Sequence, residues 1–407
     1  MKKLLAILVI IALAIPAFAA GSSESTAAGA AAPIKLGATW PLGDITGKQG
    51  SMAAQQAVDE INAAGGVLGR QLQLIVIDDE LKADKGAAAI EKLVTVDKVD
   101  VIIGGMASGV ALGQIPAMKN YKKVVVATGA ASYTVENALG ADADWYFHLH
   151  PWDYNQGQSY ADGWAAIQQK YPEVKIKKIF LAYEEGAFGK ASYDASKVLF
   201  GQQYTFDGAP FKSAAFGGGD YGAVLEAAKK FGPDLFLWAG YDADALPLLE
   251  QSKAMKFTPG IYLGAPPGWP ADFGKSPLAS NVMLYGMWAP SINDVSPISK
   301  KFYDGFVAKF NTEPATYFAP LSYSAVYIVA DAIKRAGSTD TAALITALKA
   351  TKYESPLGQT ITFSPSNVIK NQGIRNQKIL QWQKGRQEVI WPFESATAKP
   401  VYPFPAW

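Results

Sequence analysis

Two serines stand where their type and setting could do chemistry, each closing a short apolar run. The runs are Val101-Ile102-Ile103-Gly104-Gly105-Met106-Ala107-Ser108-Gly109 and Val124-Val125-Val126-Ala127-Thr128-Gly129-Ala130-Ala131-Ser132. Each begins with β-branched residues, as a strand buried on both faces does, and ends in small residues and a hydroxyl. At the carboxyl ends of parallel strands, helix N-termini and backbone N–H groups favour negative charge, and small side chains let a ligand approach the backbone. The pair therefore reads as two walls of one anion site.

No catalytic set accompanies them. The chain has no cysteine, which excludes disulfides, thiolate nucleophiles, cysteine zinc sites and a lipid anchor on an N-terminal cysteine. His148 and His150 are the only histidines, with Asp142, Asp144 and Asp153 nearby. Two histidines and an acid can hold zinc, but three converging ligands do not emerge from this spacing. The histidines are expected to line a connection between domains. No Ser–His–Asp or paired-carboxylate arrangement follows from spacing either. Gly217-Gly218-Gly219-Asp220-Tyr221-Gly222 satisfies G-x-G-x-x-G, with Asp242 at 20 residues beyond it, as a dinucleotide fingerprint would. Its mid-chain position argues against NAD. Gly43 to Gln49 resembles a phosphate loop but lacks one residue between its glycines and has Gln49 in place of Ser/Thr. The expectation is no catalytic residue, no metal and no cofactor.

The elements that must position these residues follow from composition and period. Lys2-Lys3, the apolar run Leu4 to Ile15 and Ala17-Phe18-Ala19 form the three regions of a secretory signal peptide, with cleavage near Ala20. The run is shorter than the ~20 residues that span a bilayer, so a soluble exported, periplasmic protein is expected. Loss of Lys2 and Lys3 takes the formal charge from +1 to −1, which gives no footprint for nucleic acid. Gly21 to Ala32 is low-complexity and reads as a flexible leader. The roughly 375 residues that remain exceed the ~250–300 at which one core splits, so two lobes are expected.

Apolar runs alternate with helical periodicity throughout. Ile34–Thr39 and Gln71–Asp78 read as strands and Gly50–Ala64 and Lys85–Lys98 as helices; a helix around Gly113–Tyr121 separates the opening pair. A βαβα order implies a parallel, doubly wound sheet. The pattern restarts at Gln156–Gln169 and carries strands at Lys178–Tyr183, Ala209–Phe216, Asp234–Ala239 and Gly260–Leu263. Helices at Ile298–Phe310, Ser322–Ala336 and Ala342–Ala350 and strands at Leu357–Phe363 and Lys378–Lys384 close the chain.

From about Ile34 to Gly385 the residues resemble the type I periplasmic solute-binding proteins of ABC transporters, in the branch of the branched-chain amino acid (Leu/Ile/Val)-binding proteins. The resemblance rests on Ile34-Lys35-Leu36-Gly37 with Pro41-Leu42-Gly43-Asp44, the helix and turn Ala57 to Gly69 (AVDEINAAGGVLG), and Asp78-Asp79. Asp153-Tyr154-Asn155-Gln156-Gly157, Gly186-Ala187-Phe188-Gly189-Lys190 and Ala239-Gly240-Tyr241 follow in the same order. It implies an α/β fold of two doubly wound parallel-sheet lobes joined by three crossovers, near His150, Met287 and Tyr353–Gly358. The division implied is signal peptide 1–19, leader 20–33, first lobe 34–150 and 287–355, second lobe 151–286 and 356–407. It also implies a monomer that binds a small-molecule solute between the lobes and works with an ABC permease.

The same resemblance implies that Ser108 and Ser132, with the backbone N–H groups of Ala130 and Ser132, hold a ligand carboxylate. Phe188 and Tyr241 would cover it from the second lobe. Trp40 and Trp152, at the first strand end and the first crossover, could add walls, with Trp269 and Trp288 as weaker candidates. One departure limits the ligand. Where amino-acid-binding relatives place a Glu for the ligand ammonium, this chain reads Gly264-Ala265-Pro266-Pro267-Gly268-Trp269. Asp153, Glu184, Glu185 and Asp242 are the nearest substitutes in sequence. An aromatic or hydrophobic acid thus rivals a branched-chain amino acid as solute. Two other classes stay open: a sensory binding protein for a membrane receptor, and an exported enzyme using the Gly217 turn.

Overall fold

The structure, a computed structural model, describes residues 32–270 and 272–405, so the signal segment and most of the leader lie outside the described residues. Strands β1 (Ile34–Trp40), β2 (Leu72–Asp78), β3 (Val101–Gly104), β4 (Val125–Ala127) and β5 (Tyr146–His148) form a sheet in the order β2-β1-β3-β4-β5, all parallel. Between them run α1 (Ile45–Ala63), α2 (Ala83–Thr95), α3 (Ser108–Tyr121) and α4 (Tyr133–Leu139). Alternate residues of a strand face opposite sides, and the core follows that rule. Leu36, Ile103 and Val126 pack toward α1, while Ile102 and Val125 pack toward α2 and α3.

The second sheet repeats the plan. β6 (Lys178–Glu184), β7 (Thr205–Phe211), β8 (Leu235–Ala239), β9 (Ile261–Gly264) and β10 (Met283–Gly286) are parallel, with α5 (Asp153–Lys170), α6 (Ala187–Phe200), α7 (Gly222–Phe231) and α8 (Ala245–Ala254) around them. Leu181, Leu237 and Leu263 pack with Trp164 of α5 and Phe200 of α6; Phe180, Phe236 and Trp238 face Leu225 and Leu248 on the other side. The chain then returns to the first lobe. α9 (Pro297–Phe310) and α10 (Phe318–Ala336) pack against α1, and α11 (Thr341–Lys349) against α10. A hairpin of β11 (Tyr353–Ser355) and β12 (Gln359–Ile361) follows, and β13 (Lys378–Gln383) and β14 (Arg386–Trp391) add antiparallel strands beside β10. The α/β class, the two lobes and the three crossovers are as the sequence led us to expect.

Among the boundaries that differ, three have a clear physical reason. α3 starts at Ser108, earlier than the Gly113 expected from propensity, because its glycine-bearing first turns lie close against α2. A Cβ on Gly113 would stand 2.7 Å from the Ala83 carbonyl oxygen, and one on Gly86 would stand 2.5 Å from a Val110 methyl. β7 ends at Phe211 rather than Phe216, where Ser213 accepts from the Ala215 N–H at 3.2 Å and caps a single turn. The third passage between lobes comes later than Tyr353–Gly358, because the β11–β12 hairpin packs on α9 and α10 and the chain joins the second sheet only at Lys378.

That third passage runs beside the first. Gly373 N–H donates to the His148 carbonyl at 2.7 Å, and the Gln372 amide nitrogen donates to the carbonyls of His150 at 2.9 Å and Ile374 at 2.6 Å. Gln372 is fully buried, so its removal strands two carbonyls. Gln372→Leu is expected to destabilise the protein by about 1–3 kcal/mol per abandoned carbonyl, read as a lower urea midpoint. An unchanged midpoint would show that the passages do not depend on this side chain.

Candidate functional site

Pairing of β3 with β4 brings the two small-residue turns together at the lip of the first sheet. Thr128 N–H donates to the Gly104 carbonyl at 2.9 Å, and Ala130 N–H donates to the Met106 carbonyl at 2.7 Å. Ala130 adopts φ +72°, a left-handed conformation that costs a residue with a side chain roughly 1–2 kcal/mol. Such strain persists only where the surroundings over-determine it, and it clusters at functional sites. Ser108 opens α3, whose N-cap Ala107 provides no side-chain cap. The first-turn N–H groups of α3 therefore form an uncapped positive helix end.

These turns form one side of a cavity of about 30 Å³, room for one or two water molecules. Met106, Ser108, Ala130 and Ala131 line it from the first lobe, and Phe188 and Tyr241 from the second. Ser108 Oγ accepts from the Ser132 N–H at 3.2 Å, which leaves its own proton free to donate. The Phe188 and Tyr241 rings meet edge to face with centroids 6.0 Å apart, and Phe216 backs Tyr241 at 5.1 Å. Four of the residues singled out in the sequence thus share one cavity: Ser108, Ala130, Phe188 and Tyr241.

The other five do not line it. Ser132 is buried as the cap of α4, its hydroxyl accepting from the Thr134 N–H at 3.2 Å. The N–H groups proposed from Ala130 and Ser132 are engaged by Met106 and Ser108. Trp40 is fully buried in the apolar core of the first sheet, with Gly50 and Gly104 against its indole. Trp152 is fully buried with its ring stacked on His148 at 3.7 Å. An indole near a strand end is large enough to fill the space beneath a site as well as to wall it. Asp153 accepts from the N–H groups of Tyr133 at 3.0 Å and Tyr154 at 2.7 Å. Asp242 faces a separate opening, lined also by Asp44, Leu81 and Ala215. Burial first, and then the Asp242 charge, raise the Asp44 carboxyl well above its ordinary range.

The remaining cavity residues come from the crossovers, from distant helices and, as Ala265, Pro266 and Pro267, from the turn after β9. His150, Gln156 and Tyr160 lie at and after the first crossover, Tyr285 is the penultimate residue of β10, Tyr317 precedes α10, and Gln377 precedes β13. His150 Nδ1 faces the Pro151 carbonyl at 2.9 Å, so it is the protonated nitrogen, and Nε2 accepts from the Tyr317 hydroxyl at 3.0 Å. Burial, reinforced by neighbouring His148, pushes the His150 pKa down to about 3, so the ring is neutral. Burial likewise raises Tyr160 and Tyr241 well above the usual phenol range. No described lining residue is Asp, Glu, Lys or Arg. The nearby Glu184 carboxylate is spent on the N–H groups of Gly186 at 2.6 Å and Gly189 at 2.7 Å.

The glycine-rich turn before α7 is also engaged with itself, Gly218 N–H donating to Ser213 and Gly219 N–H to Lys212. That leaves these two donors facing inward rather than toward a pyrophosphate.

With the geometry in place, the chain can be set beside known proteins. The sequence profile of the periplasmic binding protein family matches residues 33–387. Over 374 residues the chain is 28% identical to the leucine-, isoleucine-, valine-, threonine- and alanine-binding protein of Pseudomonas aeruginosa, covering 88% of this chain and 92% of that protein. The substrate-binding protein LivJ of Streptococcus pneumoniae, solved with isoleucine, superposes with TM-score 0.71 at 24% identity, over 91% of this chain and 100% of that one. A solute-binding protein of R. palustris, solved with benzoate, gives TM-score 0.73 at 18% identity, over 88% and 95%. At these identities the structural likeness speaks to the fold alone.

The buried acids make stability depend on pH with a defined sign. Burial raises Asp153 from 3.8 to about 7 and Asp79 from 3.8 to about 6. A raised carboxyl binds its proton more tightly in the folded state, so its stabilising contribution is complete below pH ~4 and is lost as pH rises through ~7. The melting temperature should therefore fall between pH 5 and pH 8, and less steeply in Asp153→Asn. Parallel profiles for the two proteins would contradict this.

Proposed function

The chain belongs to the periplasmic binding protein family, of the branched-chain amino acid ABC transporter type, and from that premise we propose that it captures a small carboxylate without an ammonium group. On this reading it is exported by its N-terminal segment, acts as a binding protein rather than an enzyme, and delivers its solute to an ABC permease.

The observation that carries the ligand class is the uncharged lining. An anion has partners here: the free proton of the Ser108 hydroxyl and the uncapped N-terminus of α3, which together offer charge-assisted hydrogen bonds and a favourable helix dipole. An ammonium finds no carboxylate among the described lining residues. Burying it without a counter-charge costs several kcal/mol, against which contact with a desolvated aromatic face such as Tyr241 returns about 2. The zwitterion of leucine is thus disfavoured against an acid whose remainder is apolar or aromatic. Phe188, Tyr241 and Phe318 suit such a body, and a benzoate-binding neighbour of the same fold is consistent with it.

Closure follows from the size of the cavity. A solute larger than one or two waters requires the lobes to part, and the three passages at Leu149–Trp152, Met287–Ala289 and Gln372–Gln377 are where the backbone must turn. The ligand favours the closed arrangement because the first-lobe anion contacts and the second-lobe aromatics meet it together only there.

Titration calorimetry tests the assignment. Benzoate should bind the purified protein, and Ser108→Ala should weaken it by about 1–3 kcal/mol with thermal unfolding little changed. Ser132→Ala should act chiefly on stability through the lost α4 cap, by about 1 kcal/mol. Benzoate affinity unchanged in Ser108→Ala would refute the anion site.

A further inference from the structure

The turn after β9 brings the two lobes together away from the anion corner. It is fixed at both ends in the second lobe: Gly264 lies beneath the indoles of Trp238 and Trp269, and Trp269 is buried with its ring centroid 4.5 Å from that of Phe273. Between these anchors Pro266 and Pro267 have a fixed φ and no N–H, so the pair is stiff and offers carbonyls but no donors. Both prolines line the cavity.

Across from them, in the first lobe, stands Thr316. Its Oγ1 accepts from the Phe318 N–H at 3.1 Å and donates to the Pro267 carbonyl at 2.8 Å. An N–H can only donate and a carbonyl only accept, so the one hydroxyl proton has a single destination. Thr316 is buried, and the segment before it is braced from α1: Ala315 N–H donates to Gln49 Oε1 at 2.6 Å, and Gln49 Nε2 donates to the Glu313 carbonyl at 2.9 Å. Tyr317 and Phe318, next in the chain, line the same cavity as the prolines.

Gly268 lets these surfaces meet. It is buried and does not adopt a left-handed φ, so a glycine here answers to space rather than to backbone conformation. A Cβ on it would stand 2.8 Å from the Ile45 Cγ2 methyl and 3.4 Å from Thr316 Cβ. Both neighbours belong to the first lobe, so the space is short only when the lobes are shut.

Resting on the binding-protein reading above, we propose that Thr316 and Gly268 form the latch of the closed protein. The Thr316–Pro267 hydrogen bond, admitted by the missing side chain at Gly268, holds the proline wall of the cavity against the first lobe and sets how long a solute stays. Neither residue lines the cavity, so both are positioning residues. Their effect is the same for every solute the cavity accepts, and it falls on release rather than on entry, because the contact is made only on closure.

Stopped-flow tryptophan fluorescence on the purified protein tests this, with benzoate and leucine as probes. Thr316→Val keeps the shape and removes the donor; it should speed release about threefold to tenfold, by the same factor for each probe that binds, with association little changed. Thr316→Ser should restore the wild-type rate. Gly268→Ala leaves the Phe318 contact in place and should speed release about tenfold or more, and adding Ile45→Ala, which clears the methyl, should recover most of that loss. Wild-type release in both Thr316→Val and Gly268→Ala, or losses that Thr316→Ser and Ile45→Ala do not repair, overturns the latch and leaves the solute site standing. Binding of neither probe by the wild type overturns the solute reading and the latch with it.

Discussion

The hydrogen bond from Ala130 N–H to the Met106 carbonyl, 2.7 Å long, ties the end of β4 to the end of β3, and much of the site depends on it. It holds Ala130 in a left-handed conformation at some cost, and it brings Ser132 near enough for its N–H to meet Ser108 Oγ. That contact orients the serine so that its proton is free. The uncapped first turn of α3 starts at the same residue. Two strand ends, one strained alanine and one helix terminus thus make a single positive-leaning corner, built almost wholly from backbone.

Opposite that corner, the chamber is polar but uncharged. Each acid near it is used elsewhere: Glu184 holds the turn into α6, Asp153 holds two N–H groups at the start of α4 and α5, and Asp242 sits with Asp44 at another opening. His150 is kept neutral by burial and by the Pro151 carbonyl that fixes its proton. A cavity arranged in this way can host one negative group with compensation and gives a positive group no counter-charge among the described lining residues. The Ala265-Pro266-Pro267 segment that lines the chamber contributes no carboxylate.

Much of this was legible in the sequence, and the part that was not has a physical cause. Buried parallel strands announce themselves as apolar runs, so β3, β4, β6, β8 and the two-lobe plan could be read directly. Ser108, Ala130, Phe188 and Tyr241 sit in turns after strands, where position along the chain nearly fixes position in space. His150, Tyr160, Tyr285, Tyr317 and Gln377 carry no such mark. They converge from three passages and two lobes, and no local period connects residues so far apart. Trp40 and Trp152 show the opposite error: aromatic residues beside a strand end or crossover look like walls, yet their bulk lies beneath the surface. The third passage lies later than its sequence suggests because the short β11–β12 hairpin reads as the last strand of a lobe, while its packing on α9 and α10 keeps it with the first.

The selectivity of the chamber turns on one functional group, so the most direct measurement changes only that group. Leucine and 4-methylpentanoate share a carbon skeleton and a carboxylate and differ by the ammonium. Their dissociation constants, measured by calorimetry on the same protein at pH 7, compare the two cases with little change in shape. If the chamber accepts a carboxylate and has no partner for a cation, 4-methylpentanoate binds more tightly than leucine. Tighter binding of leucine would show that the ammonium finds a partner the uncharged lining does not provide, and would contradict the account.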